Sequence, residues 1–297
     1  MHEVTDKTAA GRDRQSSGVA GWARRHPVAG YFLLTFGISW TSALVVAAPL
    51  LVRGLAIPKL TGLMMFPAML LGPVLAAVAM TAMVEGRTGL GALRRRIFWT
   101  GFAPGWSLAI LIPPLSIWAA LWFFTRFVSP VYAPNRFFVG AGFGLLAGVV
   151  EEMGWTGYAL PAMLKRWSPF RSSVMLGLLW SLWHAPEVDF LGAATPHRGY
   201  WLMYFAAFAG VMTAMRVLIG WLYVHTGSVG LAQLMHAAST GSLVALSPSH
   251  VGPGQEAYWY CGYAAVLWLV VALVWYGEGV WARTRQIVAA MSRKPEK

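Results

Sequence analysis

The chain has 297 residues, 57% of them hydrophobic and 11% charged, with a formal net charge of +12. An ordinary soluble domain carries about 25% charged residues, so this chain lacks the polar surface to coat a water-soluble globule of its size. The positive balance does not mark a nucleic-acid binder, because Lys and Arg fall in short segments between apolar runs, where they report membrane topology.

Residues 1–27 form a polar tail with Lys7, Arg12, Arg14, Arg24 and Arg25. Eight apolar runs follow: Val28–Val52, Gly62–Val84, Trp106–Val128, Phe137–Leu160, Ser172–Phe190, Trp201–Val224, Ser228–Ser247 and Tyr258–Val280. Each is near the roughly 20 residues that cross a hydrocarbon core. Backbone groups in lipid must be satisfied within the segment, so helices are expected. The fold class is therefore all-α, a polytopic bundle of about eight spans over 28–281, with a tail at 282–297. Lys and Arg sort unevenly across the alternating loops. The N-tail, the 86–104 loop, Lys165, Arg166, Arg171 and the C-tail hold seventeen; the opposite side holds Arg53, Lys59, Arg126, Arg136 and Arg198. The positive-inside rule then places both termini in the cytoplasm of a multi-pass cell-membrane protein. Arg94, Arg95 and Arg96 also suit anionic lipid headgroups. The single Cys261 lies inside an apolar run and excludes an internal disulfide or a cysteine metal cluster.

Ionisable groups inside a membrane cost about 2.5–3.5 kcal/mol each on insertion scales and invite a functional reading. Glu151 and Glu152 are adjacent in the fourth run; His184 lies in the fifth and His236 in the seventh. Counted from Lys165, Arg171 and Ser228, the acidic pair, His184 and His236 sit at roughly 12–20 Å depth from the cytoplasmic side. Gly140, Gly144, Gly148 and Glu152 repeat every four residues, so Glu152 faces a closely packed neighbour while Glu151 is rotated about 100° away. Gln233, His236 and Thr240 share one helix face. Arg216 lies inside the sixth run. It either snorkels to the interface or pairs with Glu152.

Glu151-Glu152-Met153-Gly154-Trp155-Thr156-Gly157-Tyr158-Ala159-Leu160-Pro161 resembles the first motif of the CPBP intramembrane proteases. That family includes the type II CAAX prenyl endopeptidases, bacteriocin-processing proteins and abortive-infection-type proteins. Trp180-Ser181-Leu182-Trp183-His184 resembles the second motif, and His236-Ala237-Ala238-Ser239-Thr240 the third. The resemblance covers about 137–246. The family often has Arg where Thr156 stands, Phe where Trp180 stands and Asn where Thr240 stands. The Trp180 exchange is expected to change little.

The resemblance implies an endopeptidase acting on a membrane protein or a lipidated peptide. Glu151 would be the general base for water and His184 its orienting partner. His236 and Thr240 would stabilise the oxyanion, and Glu152 would orient or share the proton. It leaves open a divalent metal such as zinc or a metal-free Glu/His mechanism, and assigns no ligands. Two other functions fit polar groups at mid-membrane: a catalytically silent scaffold that binds a partner helix, and a transporter.

Overall fold

A computed structural model describes residues 18–98, 101–186, 188 and 196–292. Lys7, Arg12 and Arg14, the far end of the fifth run and the last five residues lie outside them. The described residues are helical, without strands. The α-helices are α1 (Val19–Arg25), α2 (Pro27–Leu51), α3 (Lys59–Met69), α4 (Leu71–Ile97), α5 (Ile112–Phe127), α6 (Gly140–Gly154), α7 (Leu160–Leu164), α8 (Pro169–Trp183), α9 (Trp201–Thr226), α10 (Val229–Leu246) and α11 (Pro253–Ser292). A 3-10 segment, Pro104–Leu111, leads into α5, and a π-helical turn, Trp155–Ala159, joins α6 to α7.

Six of these stretches are long and apolar enough to cross a bilayer: Pro27–Leu51, Met64–Ile97, Pro104–Phe127, Arg198–Thr226, Val229–Leu246 and Pro253–Gly279. Their outer faces carry exposed Leu33, Val45, Leu108, Trp118, Leu269 and Leu273. Apolar surface on that scale requires lipid rather than water. The fourth and fifth runs, expected as full-length spans, differ. The fourth is divided by the π turn into α6 and α7, and α8 has 15 residues and ends three before Pro186, which has no amide N–H to extend it. The helix α6 carries the acidic pair, and His184 caps the end of α8. α11 also runs past the expected boundary at 281, into the stretch read as a tail.

Inside the bundle, α6 packs along α10 and α8 along α9. The α6–α10 approach depends on missing side chains. A Cβ at Gly148 would lie 2.5 Å from the carbonyl oxygen of Gln233 and 2.6 Å from the amide nitrogen of Ala237. The α9–α10 connection is equally tight. Gly227 takes a left-handed φ of 65° to end α9, and the Ser228 hydroxyl accepts the Leu231 amide to start α10. Arg216 lies ten residues before this turn and His236 eight after it, so the two reach similar depth on neighbouring helices.

Candidate active site

Glu151 and Glu152 are both fully buried, yet their surroundings differ. Helical rotation turns Glu152 toward α9 and α10. There its Oε1 accepts from His236 Nδ1 at 2.8 Å, and its Oε2 accepts from Arg216 Nη1 at 2.8 Å and from the Thr156 hydroxyl. Every side of this carboxylate is committed. Arg216 therefore does not snorkel: its side chain is fully buried and paired, its guanidinium lies 4.3 Å from the centroid of the Trp180 ring, and Thr156 adds a neutral donor to the same oxygen.

Glu151 faces the other way. Its Oε2 accepts from two indole N–H groups, Trp155 Nε1 at 2.9 Å and Trp180 Nε1 at 2.8 Å. Its Oε1 is buried with no hydrogen-bond partner among the described residues. One oxygen is thus anchored and the other is free to act on a ligand or water.

Trp180 organises the rest. Its indole N–H holds Glu151, and its main-chain carbonyl lies 2.8 Å from His184 Nδ1. Its ring meets that of His236 edge-on at 4.9 Å. A carbonyl can only accept, so Nδ1 of His184 carries the proton and Nε2 presents a lone pair. Phe66, Trp183 and Phe208 wall the imidazole. At the end of α8, Trp40 Nε1 donates to the Trp183 carbonyl at 3.1 Å, occupying an acceptor left over where the helix stops.

The structure thus gathers Glu151, Glu152, His184 and His236 around Trp180. Thr240 lies one turn beyond His236, half-buried. Its hydroxyl makes no hydrogen bond to protein among the described residues, so it does not bond back to its own helix. Gln233, on the same face, is spent on packing: its Nε2 donates to the Val149 carbonyl at 2.9 Å. The expectation that Trp180 is an inconsequential replacement for Phe fails here, because its indole N–H is one of the two bonds that fix Glu151. Trp155 supplies the other and was not singled out in the sequence. Its place four residues after Glu151, one helical turn on, is the signal that would have found it.

The donor set bears on a metal. A structural or catalytic zinc takes three or four protein ligands. Both Glu152 oxygens and His236 Nδ1 are engaged with each other and with Arg216. Among the described residues no group of three or more His, Cys, Asp or Glu side chains is disposed to hold a metal ion. These residues do not fit a resident zinc site.

The π turn begins three residues after Glu152 and contains Thr156. Such turns are often found at functional sites because they displace a side chain from helical register. Arg96 of α4 donates through Nη1 to the Gly157 carbonyl at 2.7 Å within it.

Residues 133–242 match the model of the Rce1-like family, described as type II CAAX prenyl endopeptidase Rce1-like. The matched stretch holds all the acidic and histidine residues of the site. A 44-residue segment is 48% identical to CAAX prenyl protease 2 of Methanococcus maripaludis, covering 15% of this chain. The aligned segment spans 16% of that relative's own length.

Proposed function

We propose that this chain belongs to the CPBP intramembrane protease family through its Rce1-like segment 133–242, and that it is an endopeptidase that hydrolyses a peptide bond of a membrane-embedded or membrane-proximal protein. The observation that carries this reading is the asymmetry of Glu151, a buried carboxylate with one oxygen held by two indoles and the other unpartnered. Glu151 Oε1 takes a proton from water while His184 Nε2 accepts the water's second hydrogen and aims it. Hydroxide attacks the scissile carbonyl. His236, whose Nδ1–H is held by Glu152, acts in its doubly protonated imidazolium form, so that Nε2–H also donates to the developing oxyanion, and the Thr240 hydroxyl supplies a second donor. The protonated Glu151 then gives its proton to the leaving amine. Glu152 orients His236 and takes no proton in this scheme, because Arg216 and Thr156 already occupy its other oxygen.

The substrate classes we propose are membrane proteins and lipidated peptides, since the site lies among apolar helices. Both termini are proposed to be cytoplasmic, with the exposed Arg94 and Arg95 close to anionic headgroups. The deciding experiment compares wild type with Glu151→Gln after reconstitution in liposomes, using a library of membrane-anchored peptides and mass spectrometry of the products. Gln keeps an oxygen to accept the indole N–H groups and removes the base. A loss of about 10²–10⁴ in turnover is expected. Cleavage by Glu151→Gln at the wild-type rate would refute the general-base assignment, and wild type that cleaves nothing under conditions where it is folded would favour the scaffold reading.

A further inference from the structure

Two cavities outside the site meet at a single residue, Arg166, at the arginine-rich end of the bundle. The first is a groove of about 570 Å³ between α2 and α8. Val28, Phe32 and Phe36, four residues apart, form one wall, and Leu179 and Leu182 the other, with Arg166 and Trp167 at the mouth. The second is a crevice of about 170 Å³ whose lining includes Arg96, Lys165, Arg166, Glu85 and Tyr158. Three cations there face one carboxylate. No ion pair joins any of the three to an acid among the described residues. Arg96 spends one nitrogen on Gly157 and Arg166 one on the Arg25 carbonyl, at 3.2 Å, which leaves further N–H donors on both guanidiniums.

Head and tail therefore have separate, adjoining places. From Val28 to Phe36 the groove runs about 12 Å along α2, close to the half-thickness of about 15 Å that one leaflet contributes. One acyl chain of a phospholipid matches that length, and the groove walls offer it the apolar Val28, Phe32, Phe36, Leu179 and Leu182. Basic pockets between membrane helices bind anionic headgroups, and the charge balance of the crevice selects against a zwitterion. We propose that this end of the protein holds one anionic phospholipid, its phosphate among Arg96, Lys165 and Arg166 and one acyl chain in the α2–α8 groove. The site is separate from the proteolytic reading and is tested by binding alone.

The test is native mass spectrometry of the full chain in detergent, with dioleoyl phosphatidylglycerol, dioleoyl phosphatidylcholine or glycerol 3-phosphate added. Phosphatidylglycerol should be retained roughly tenfold or more over phosphatidylcholine, and glycerol 3-phosphate should not be retained. Lys165→Gln combined with Arg166→Gln should erase the preference, and Leu182→Trp, which fills the groove, should lower retention of both lipids. Arg87→Gln combined with Arg171→Gln alters exposed charges on the same side that line neither cavity, and should keep the preference. Equal retention of the two lipids would overturn the proposal. So would a preference that survives the Lys165 and Arg166 changes or vanishes with those at Arg87 and Arg171. Retention of glycerol 3-phosphate, or lipid retention unchanged by Leu182→Trp, would remove the acyl chain from the groove and overturn it equally.

Discussion

Arg216 and Glu152 are both fully buried and 2.8 Å apart, so each is the other's compensation for leaving water. Removing one partner of such a pair costs about 3–5 kcal/mol, because the survivor stays charged and unpaired. Arg216→Met should therefore lower thermal stability by that order and abolish cleavage. Adding Glu152→Gln should restore much of the stability, since the uncompensated charge is gone, without restoring turnover. A stable, active Arg216→Met protein would show that the pair is incidental. Thr240 is the opposite case, a hydroxyl without a hydrogen-bond partner among the described residues. Thr240→Val keeps the shape and removes the donor, and turnover should fall by about 10²–10³ if the hydroxyl serves the oxyanion; Thr240→Asn should stay active. Equal rates for Thr240→Val and wild type would reduce the residue to packing. The two acids, two histidines and Arg216 were legible in the sequence because charge inside an apolar run is costly and stands out. The indole bonds from Trp155 and Trp180 were not. Tryptophan fits an apolar run unremarked, and which way its N–H points depends on rotamers fixed only by packing.

At the level of helices, the site depends on α6 and α10 lying close enough for Glu152 to reach His236. Gly148 sits at that contact, and a Cβ there would press on backbone atoms of Gln233 and Ala237, which cannot yield as a flexible side chain would. Gly148→Ala should cost about 1–3 kcal/mol and weaken turnover by separating the two helices. Gly142→Ala is the control: nothing lies within 4 Å of a Cβ at that position, and loss of its helix-weakening glycine should leave stability unchanged or slightly raised. Thermal unfolding in detergent with parallel turnover measurements checks both. If Gly148→Ala and Gly142→Ala behave alike, the four-residue glycine repeat is not what sets this approach. That repeat was readable in the sequence, because small residues at i, i+4 and i+8 share a face. The π turn was not, since no residue type demands one. The division of the second run into α3 and α4 at Leu70 did have a signal, Gly72-Pro73, because Pro73 has no N–H for the Met69 carbonyl.

At the scale of the molecule, six helical stretches among the described residues have the length and composition of spans, whereas eight apolar runs were expected. Both numbers are even, so the chain ends on the side where it began in either case, and the location of the C-terminus cannot separate them. The turn at 165–168 can. If the α6–α7 and α8 stretches cross the bilayer, that turn lies with the N-terminus; if they do not, it lies opposite. The contacts favour crossing. At its start the α6 segment is tied to the end of α10, where the Asn135 and Phe137 amides donate to the carbonyls of Leu246 and Ala245 at 3.0 Å each. At its far end Arg166 reaches the Arg25 carbonyl and Arg96 reaches Gly157, both from the arginine-rich side. The 15-residue α6, the π turn and α7 together traverse the bundle from one face to the other. They fall short of an apolar span because they carry the acidic pair, which is shielded by neighbouring helices rather than by lipid. A cysteine-free background is available by replacing the lone Cys261. Single cysteines introduced at Lys165, Arg198 and Gly252 can then be labelled with a membrane-impermeant maleimide in intact cells and in inverted vesicles. Eight crossings predict that Lys165→Cys is labelled only in inverted vesicles, and Arg198→Cys and Gly252→Cys only in intact cells. Labelling of Lys165→Cys in intact cells would leave six crossings and put the Arg166 crevice on the outer face.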